Sequence, residues 1–288
     1  MQPTNPAQPS SADTGENPAP ADLYASDTTA ETIARIADIG QPQIDFFHRE
    51  GYLAIDQVFD AKQVEQAGSA IDELIDGGNP DFRGVQFEAG IGTKNAGQMG
   101  PEQRRRAVRK LMNFVDFDVR LKALAEDAGI ITLLERLMGE PPLIFQEMAL
   151  LKGPGGREKP WHQDCAYFDL PLGTTVVGVW IALDEATPQN GCLHVMPGTH
   201  REGPVEHFKV RDWQICDTQI QRKRDLVVPL PAGGCLLWHG MLHHCSPTNL
   251  SDSRRRALQF HYKPQGAGKT STEERMQLFG GEVRGAQC

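Results

Sequence analysis

Residues 235–262 read CLLWHGMLHHCSPTNLSDSRRRALQFHY. The segment divides into an apolar run (Cys235–Trp238), a histidine cluster (His239, His243, His244), a turn-rich stretch and a second run, Ala257–Tyr262. Short apolar or alternating runs between turn residues read as strands. The same texture recurs upstream in Leu143–Leu151, Val176–Leu183 (broken only by Gly178), Leu193–Met196 and Leu226–Pro229. Several short strands at turn-marked spacing predict an all-β sandwich or barrel over about 143–262.

From Gln41 to about Met138 the pattern is mostly helical. Asp60 is placed to cap a helix that carries Val64, Ala67, Ile71, Leu74 and Ile75 at helical spacing, and Gly77-Gly78 stops it. Pro101–Met112, Asp118–Asp127 and Ile130–Met138 read as further helices, while the Gly-rich stretch 79–98 carries no readable period. Helices therefore precede strands without βαβ alternation, and neither GxGxxG nor GxxxxGK[ST] occurs, which argues against a nucleotide-binding parallel sheet. Residues 29–288 are expected to form one mainly β domain with N-terminal helices, the helical layer over about 41–138. Residues 1–28 are rich in Pro, Ala, Ser and acid, hold no Lys or Arg, and are expected to be a disordered, dispensable tail.

The 288 residues carry 29 Lys+Arg against 38 Asp+Glu, a net charge of −9, and show no basic stripe, so a nucleic-acid partner is not expected. No apolar run approaches the ~18 residues of a membrane span, and no secretory signal opens the chain. Six scattered cysteines without a CxxC pair read as reduced thiols in a cytoplasmic protein. The C-terminus matches neither a prenylation nor a peroxisomal signal. The expected partner is a small-molecule substrate, with no membrane or protein partner evident.

The chemistry concentrates in Trp161-His162-Gln163-Asp164. In an extended strand His162 and Asp164 point the same way, offering a nitrogen and a carboxylate oxygen to one metal. Such a pair is common by chance, but the cluster His239, His243 and His244 changes its weight. Two histidines and one carboxylate form the facial triad of non-haem Fe(II) oxygenases, which leaves positions on the metal open. His243 and His244 are adjacent, so on a strand they face opposite ways, and His239 shares the parity of His243.

Beyond His244 stand Ser246, Asn249 and Arg255, and the whole pattern resembles the phytanoyl-CoA dioxygenase family of Fe(II)/2-oxoglutarate-dependent oxygenases. That family has His-x-Asp, then a distal His followed at two, five and eleven residues by Ser, Asn and Arg. Trp180-Ile-Ala-Leu-Asp184, Asn190-Gly-Cys-Leu193 and Pro197-Gly-Thr-His200 match its central signature, and the likeness runs from about Phe46 to Tyr262. The resemblance implies a double-stranded β-helix (a cupin-like jelly roll) buttressed by α-helices. It implies Fe(II) held by His162, Asp164 and His244, with 2-oxoglutarate and dioxygen as co-substrates. Arg255 would pair with the distal carboxylate of 2-oxoglutarate and Ser246 would donate a hydroxyl to it. Trp180 and Met148 would line that pocket, and Lys110 would reach it. Arg255 lies on the face opposite Arg254 and Arg256 by strand alternation. Lys110 closes the basic run Arg104-Arg105-Arg106-Ala-Val-Arg109-Lys110, which reads either as a solvated helix face or as a strip for a substrate phosphate. Tyr167 and Phe168 are candidates for a substrate wall, and His194 and His200 for structural positions.

The implied activity is hydroxylation of a small organic substrate coupled to decarboxylation of 2-oxoglutarate to succinate and CO2. Asp164, where a halogenase would lack a carboxylate, argues for hydroxylation. The competing reading is a non-catalytic jelly roll that binds a small ligand or a structural metal. Within enzymes the substrate classes left open are an acyl-CoA, a small phosphonate or amino acid, and a natural-product intermediate.

Overall fold

The computed structural model describes residues 19–88, 91, 97–281 and 288. Strand β1 (Ile33–Arg35), helix α1 (Gln41–Glu50), strand β2 (Tyr52–Gln57) and helix α2 (Ala61–Ile75) come first. Asp60 caps α2 as expected: its carboxylate accepts from Gln63 N at 2.8 Å and Gln63 Oε1 accepts from Asp60 N at 2.9 Å. Ala67, Ile71, Leu74 and Ile75 are buried on its inner face. Strand β3 (Val85–Phe87), helix α3 (Pro101–Ala107) and strand β4 (Val108–Met112) follow, then helices α4 (Val119–Ala125) and α5 (Ala128–Met138). The expected helix Pro101–Met112 is thus half strand. Val108 and Leu111 are drawn into the core against the helices, and Leu111 pairs with Ala149 in a sheet that a continuing helix would not reach. The layer expected to be helical contributes three strands, β2, β3 and β4.

Downstream lie β5 (Pro142–Lys152), β6 (Lys159–His162), β7 (Val177–Ala182), β8 (Leu193–Val195), β9 (His207–Lys209), β10 (Trp213–Ile215), β11 (Leu226–Val228), β12 (Cys235–His239), β13 (His244–Ser246), β14 (Arg255–Pro264) and helix α6 (Thr272–Phe279). The major sheet runs β1-β2-β12-β7-β14-β5-β4-β3 and the minor sheet β11-β8-β13-β6; β9 and β10 form a separate pair. Of the paired strands among the described residues only β1 against β2 is parallel, and the isolated bridge between Thr29 and Val227 is parallel as well. Alternation sorts the two faces of the major sheet. Val177, Val179, Ile181, Leu258 and Phe260 pack on α1, α2, α4 and α5, while Trp180, Ala182, Leu236, Trp238 and Ala257 face Leu193, Val195, Val227 and Val228 of the minor sheet. The result is a jelly roll of two open sheets, buttressed on one side by helices, as expected.

The segment before β1 corrects the tail. Leu23 is 1% exposed in a cluster with Trp161, Met196, Ile215 and Cys245. Tyr24 donates to Glu158, and Ser26 Oγ donates to Asp225 O at 2.6 Å. Val227 N donates to Thr28 O and Ala30 N to Val227 O, both at 2.9 Å. A composition averaged over 1–28 hides three anchoring side chains, and the stretch from Leu23 to Thr28 is docked; residues 1–18 lie outside the described residues. Leu23→Ala should therefore destabilise the protein by about 2–5 kcal/mol, the range for deleting a buried leucine, read as a lowered urea midpoint. An unchanged midpoint would show that the segment adds nothing to the core.

Candidate functional site

His162 ends β6, His244 begins β13, and the two are direct cross-strand partners in the minor sheet. Opposed residues of an antiparallel pair stand side by side, and here the imidazole centroids are 4.1 Å apart. Asp164 is not on the strand, because β6 stops at His162 and Asp164 opens a 3-10 turn, Asp164–Tyr167. The turn still returns its carboxylate to the pair: Oδ1 is 3.4 Å from His162 Nε2 and 3.5 Å from His244 Nε2. One donor atom from each of the three buried residues lies within 4.8 Å of the others.

Neighbouring groups leave these three atoms free. Pro160 O lies 2.8 Å from His162 Nδ1 and Leu242 O 2.9 Å from His244 Nδ1. A carbonyl only accepts, so both rings donate from Nδ1 and turn Nε2 toward Asp164 Oδ1. Burial, then His244, pushes His162 down to about 4, so its ring is neutral near pH 7. Burial alone would raise the Asp164 carboxyl, but His244 and His261 beside it hold it well below the usual range. Asp164 Oδ2 accepts from Trp238 Nε1 at 2.8 Å and from His261 Nε2 at 2.9 Å, which leaves Oδ1 turned to the histidines. Sequence reasoning missed Trp238 and His261 here. The one local trace is Gly178, since a Cβ at that position would run into the Trp238 indole.

Gln163, between the two candidate ligands, is fully buried and fully spent. Its amide donates to Gly203 O at 3.0 Å and Met241 O at 2.9 Å, and its backbone N–H donates to His207 Nε2 at 3.1 Å. His207 donates from Nδ1 to Val205 O at 2.7 Å, so it too is a neutral ring, and burial pushes it down to about 3. The other histidines stand apart from the cluster. His239 accepts from Met241 N at 3.1 Å, and His243 donates its backbone N–H to Thr199 at 3.0 Å. His194 pairs with Asp225 at 2.9 Å, and His200 bonds His48 O at 3.1 Å. Around the histidine pair, Tyr167 packs edge-on to His162 (5.9 Å), while Phe168 packs on Phe145 (4.8 Å) and His261 (5.0 Å).

On the inner face of the major sheet, residues align in rows across the strands. Met148, Gln259 and Trp180 form one row, and Lys110, Leu150, Ala257 and Ala182 the next. Arg255 and Lys152 close the series as direct partners. Alternation holds for the three arginines. Arg254 turns out to Arg105 O (3.1 Å), Arg256 pairs with Asp184 (2.8 Å), and Arg255 alone turns in, 2% exposed. Its guanidinium lies 5.1 Å from the Trp180 ring, and its Nε and Nη1 have no hydrogen-bond partner among the described residues. Burial pushes it down to about 10.

Three expectations change. Ser246 Oγ donates its one proton to Gly191 O (2.8 Å) and accepts from Lys152 Nζ (2.7 Å), with Arg255 Nη2 at 3.5 Å, so it is an acceptor here rather than a spare donor. Lys110 lies on β4, not on a helix, and burial followed by the nearby Arg109 lowers it to about 8. The three arginines of α3 are engaged within the fold: Arg104 donates to Ile75 O (2.7 Å), Arg105 pairs with Asp76 and Asp72, and Arg106 with Glu102 (2.6 Å).

The model of the phytanoyl-CoA dioxygenase family matches residues 47–257. Among curated relatives, "phytanoyl-CoA dioxygenase domain-containing protein 1" of Danio rerio is 37% identical over 130 residues, covering 42% of this chain and 44% of that one. The Bos taurus protein of that name is 31% identical over 61% of this chain and 63% of its own, so the match spans less than two thirds of both relatives. Among solved structures, the non-heme alpha ketoglutarate dependent carbocyclase SnoK from nogalamycin biosynthesis shares the fold. Its TM-score is 0.64 at 20% identity, over 89% of this chain and 98% of that one.

The neutral state of His207 makes a pH prediction. Its folded pKa of about 3 lies below the ordinary ~6.5, so the unfolded chain binds the extra proton. That contribution is complete above about pH 6.5 and is lost as pH falls toward 3. In His207→Gln, whose amide oxygen can still accept from Gln163 N, unfolding between pH 4.5 and 6.5 should take up about one proton less. Identical pH slopes for the two proteins would contradict this.

Proposed function

Since the chain belongs to the phytanoyl-CoA dioxygenase family, we propose that it is an Fe(II)- and 2-oxoglutarate-dependent dioxygenase that hydroxylates a small organic substrate. In this reading His162 Nε2, Asp164 Oδ1 and His244 Nε2 hold Fe(II) as a facial triad. Arg255 takes the distal carboxylate of 2-oxoglutarate through its planar fork, with Trp180 against the guanidinium and Met148 and Lys110 on the adjoining rows. Iron, 2-oxoglutarate and dioxygen together supply an oxidant for C–H hydroxylation, with succinate and CO2 as co-products. The chain's own work is positional. Pro160 O and Leu242 O fix the two histidine tautomers, and Trp238 and His261 hold Asp164 to one exposed oxygen. Tyr167, Phe168 and Phe145 wall the substrate side and exclude water there.

One observation carries this reading. A buried guanidinium without an internal acid is costly, and Arg255 leaves two nitrogens unpartnered within the same core that gathers the three metal donors. A non-catalytic jelly roll with a structural metal accounts for the donors and leaves Arg255 unexplained. No helix among the described residues is long and apolar enough to cross a membrane. Free cysteines support a cytoplasmic setting in this reading.

The test is anaerobic reconstitution with Fe(II) and 2-oxoglutarate, then a metabolite screen that reads substrate-dependent succinate. His244→Ala should lose Fe(II) binding and the metal-to-ligand absorption band, while His243→Ala keeps both. The reverse pattern would sink the assignment. Arg255→Lys should weaken 2-oxoglutarate by about tenfold or more, because a point charge replaces the fork, whereas Arg254→Lys should change it by less than about twofold. Equal losses from the two would dismiss Arg255 as the anchor.

A further inference from the structure

The last row of the major sheet places two cations side by side, Arg255 and Lys152, where no function has been assigned to the lysine. Neither meets a carboxylate among the described residues. The Lys152 ammonium spends its three protons on neutral oxygens: Ser246 O (3.1 Å), Ser246 Oγ (2.7 Å) and Pro247 O (2.6 Å). These contacts are built rather than incidental. Asn249 Nδ2 donates to Lys152 O at 3.1 Å, holding the strand end from which the side chain departs. Gly191 passes so close that a Cβ there would stand 3.3 Å from Lys152 Nζ and would collide with Pro247 O.

The Ser246 hydroxyl links the two cations. Its proton goes to Gly191 O, so it shows only lone pairs to the pocket; Lys152 takes one, and Arg255 Nη2 stands 3.5 Å away. Lys152 therefore decides which way Ser246 faces, and Ser246 in turn meets Arg255. The paired charge itself needs an anion from outside. Burial and the adjacent Arg255 push the Lys152 ammonium well below its ordinary range, and an arriving carboxylate opposes that shift.

We propose that Lys152 is a positioning residue of the carboxylate subsite, acting through Ser246 and through its charge, and that it makes the subsite select a 2-oxo diacid over the monoacid of the same length. This rests on the reading of Arg255 as the 2-oxoglutarate anchor. The chelating end of the ligand would lie with the metal donors, and because Lys152 bonds β13 two residues beyond His244, Fe(II) stoichiometry separates an effect on the distal end from one on the donors.

The experiment titrates the Fe(II)-loaded protein anaerobically with 2-oxoglutarate and with 2-oxopentanoate, which has the same chain without the distal carboxylate. Both are followed by the metal-to-ligand band. Lys152→Met is expected to weaken 2-oxoglutarate by about tenfold or more and to leave 2-oxopentanoate within about twofold, while Lys152→Arg keeps most of the preference for the diacid. Fe(II) stoichiometry and thermal midpoint are measured on each variant, and Lys152→Gln is held to the same criterion if Lys152→Met does not fold. Equal weakening of both ligands, or no change in either, overturns the proposal and leaves the lysine a packing role. A wild-type protein that binds Fe(II) but gives no band with either ligand defeats the oxygenase reading itself, an outcome distinct from a wild-type preference that survives the loss of Lys152.

Discussion

Asp164 Oδ2 accepts from the Trp238 indole and the His261 imidazole, donors that stand on strands β12 and β14 of the major sheet, while Asp164 itself follows β6 of the minor sheet. The two sheets are thus tied at the point where the candidate ligands converge. A carboxylate with one oxygen held by two buried donors cannot rotate without leaving both unsatisfied, which costs more than the bonds contribute when made. The free oxygen is therefore aimed by the packing of one sheet on the other. Errors in how the sheets approach would appear at Asp164 before they appeared at His162 or His244, whose mutual spacing is set within one strand pair.

The sheets divide the remaining chemistry. The minor sheet supplies the two histidines, and the major sheet supplies a buried positive end at Arg255 and Lys152. Between them the Lys110 row carries only methyl side chains at Ala182 and Ala257. Other buried or half-buried ions meet an opposite charge: Arg256 has Asp184, Arg211 has Glu158 and Asp217, and His194 has Asp225. Against that background of satisfied ions, the unpartnered nitrogens of Arg255 stand out, because buried charge is otherwise neutralised or removed.

What the sequence made legible was local. The spacing from His244 to Ser246, Asn249 and Arg255 survives folding because it runs along one turn and two strand ends, and alternation alone separates Arg255 from its neighbours. Trp238 and His261 were not legible, since they meet a carboxylate 74 and 97 residues away and nothing near them in the chain announces it. Lys152 was hidden in the same way, bonded to Ser246 at a separation of 94 residues. Short elements failed for another reason. Strands β1 and β3 are three residues each, too short for any period, and β4 begins directly after α3, whose pattern it continues in sequence. Asp164 stands beside His162 although the local geometry is a 3-10 turn instead of the strand that alternation assumes.

Strand β11 ends the minor sheet, and Val227 on it exchanges both backbone hydrogen bonds with Thr28 and Ala30. Without that segment the outer N–H and C=O of Val227 would be bare, a template for a strand from another molecule. The residues around Leu23 thus act as a guard against aggregation as well as ballast for the core. Shortening the chain into this segment would cost solubility at high concentration before it cost the geometry of the candidate histidine ligands, which sit two and three strands away on β13 and β6.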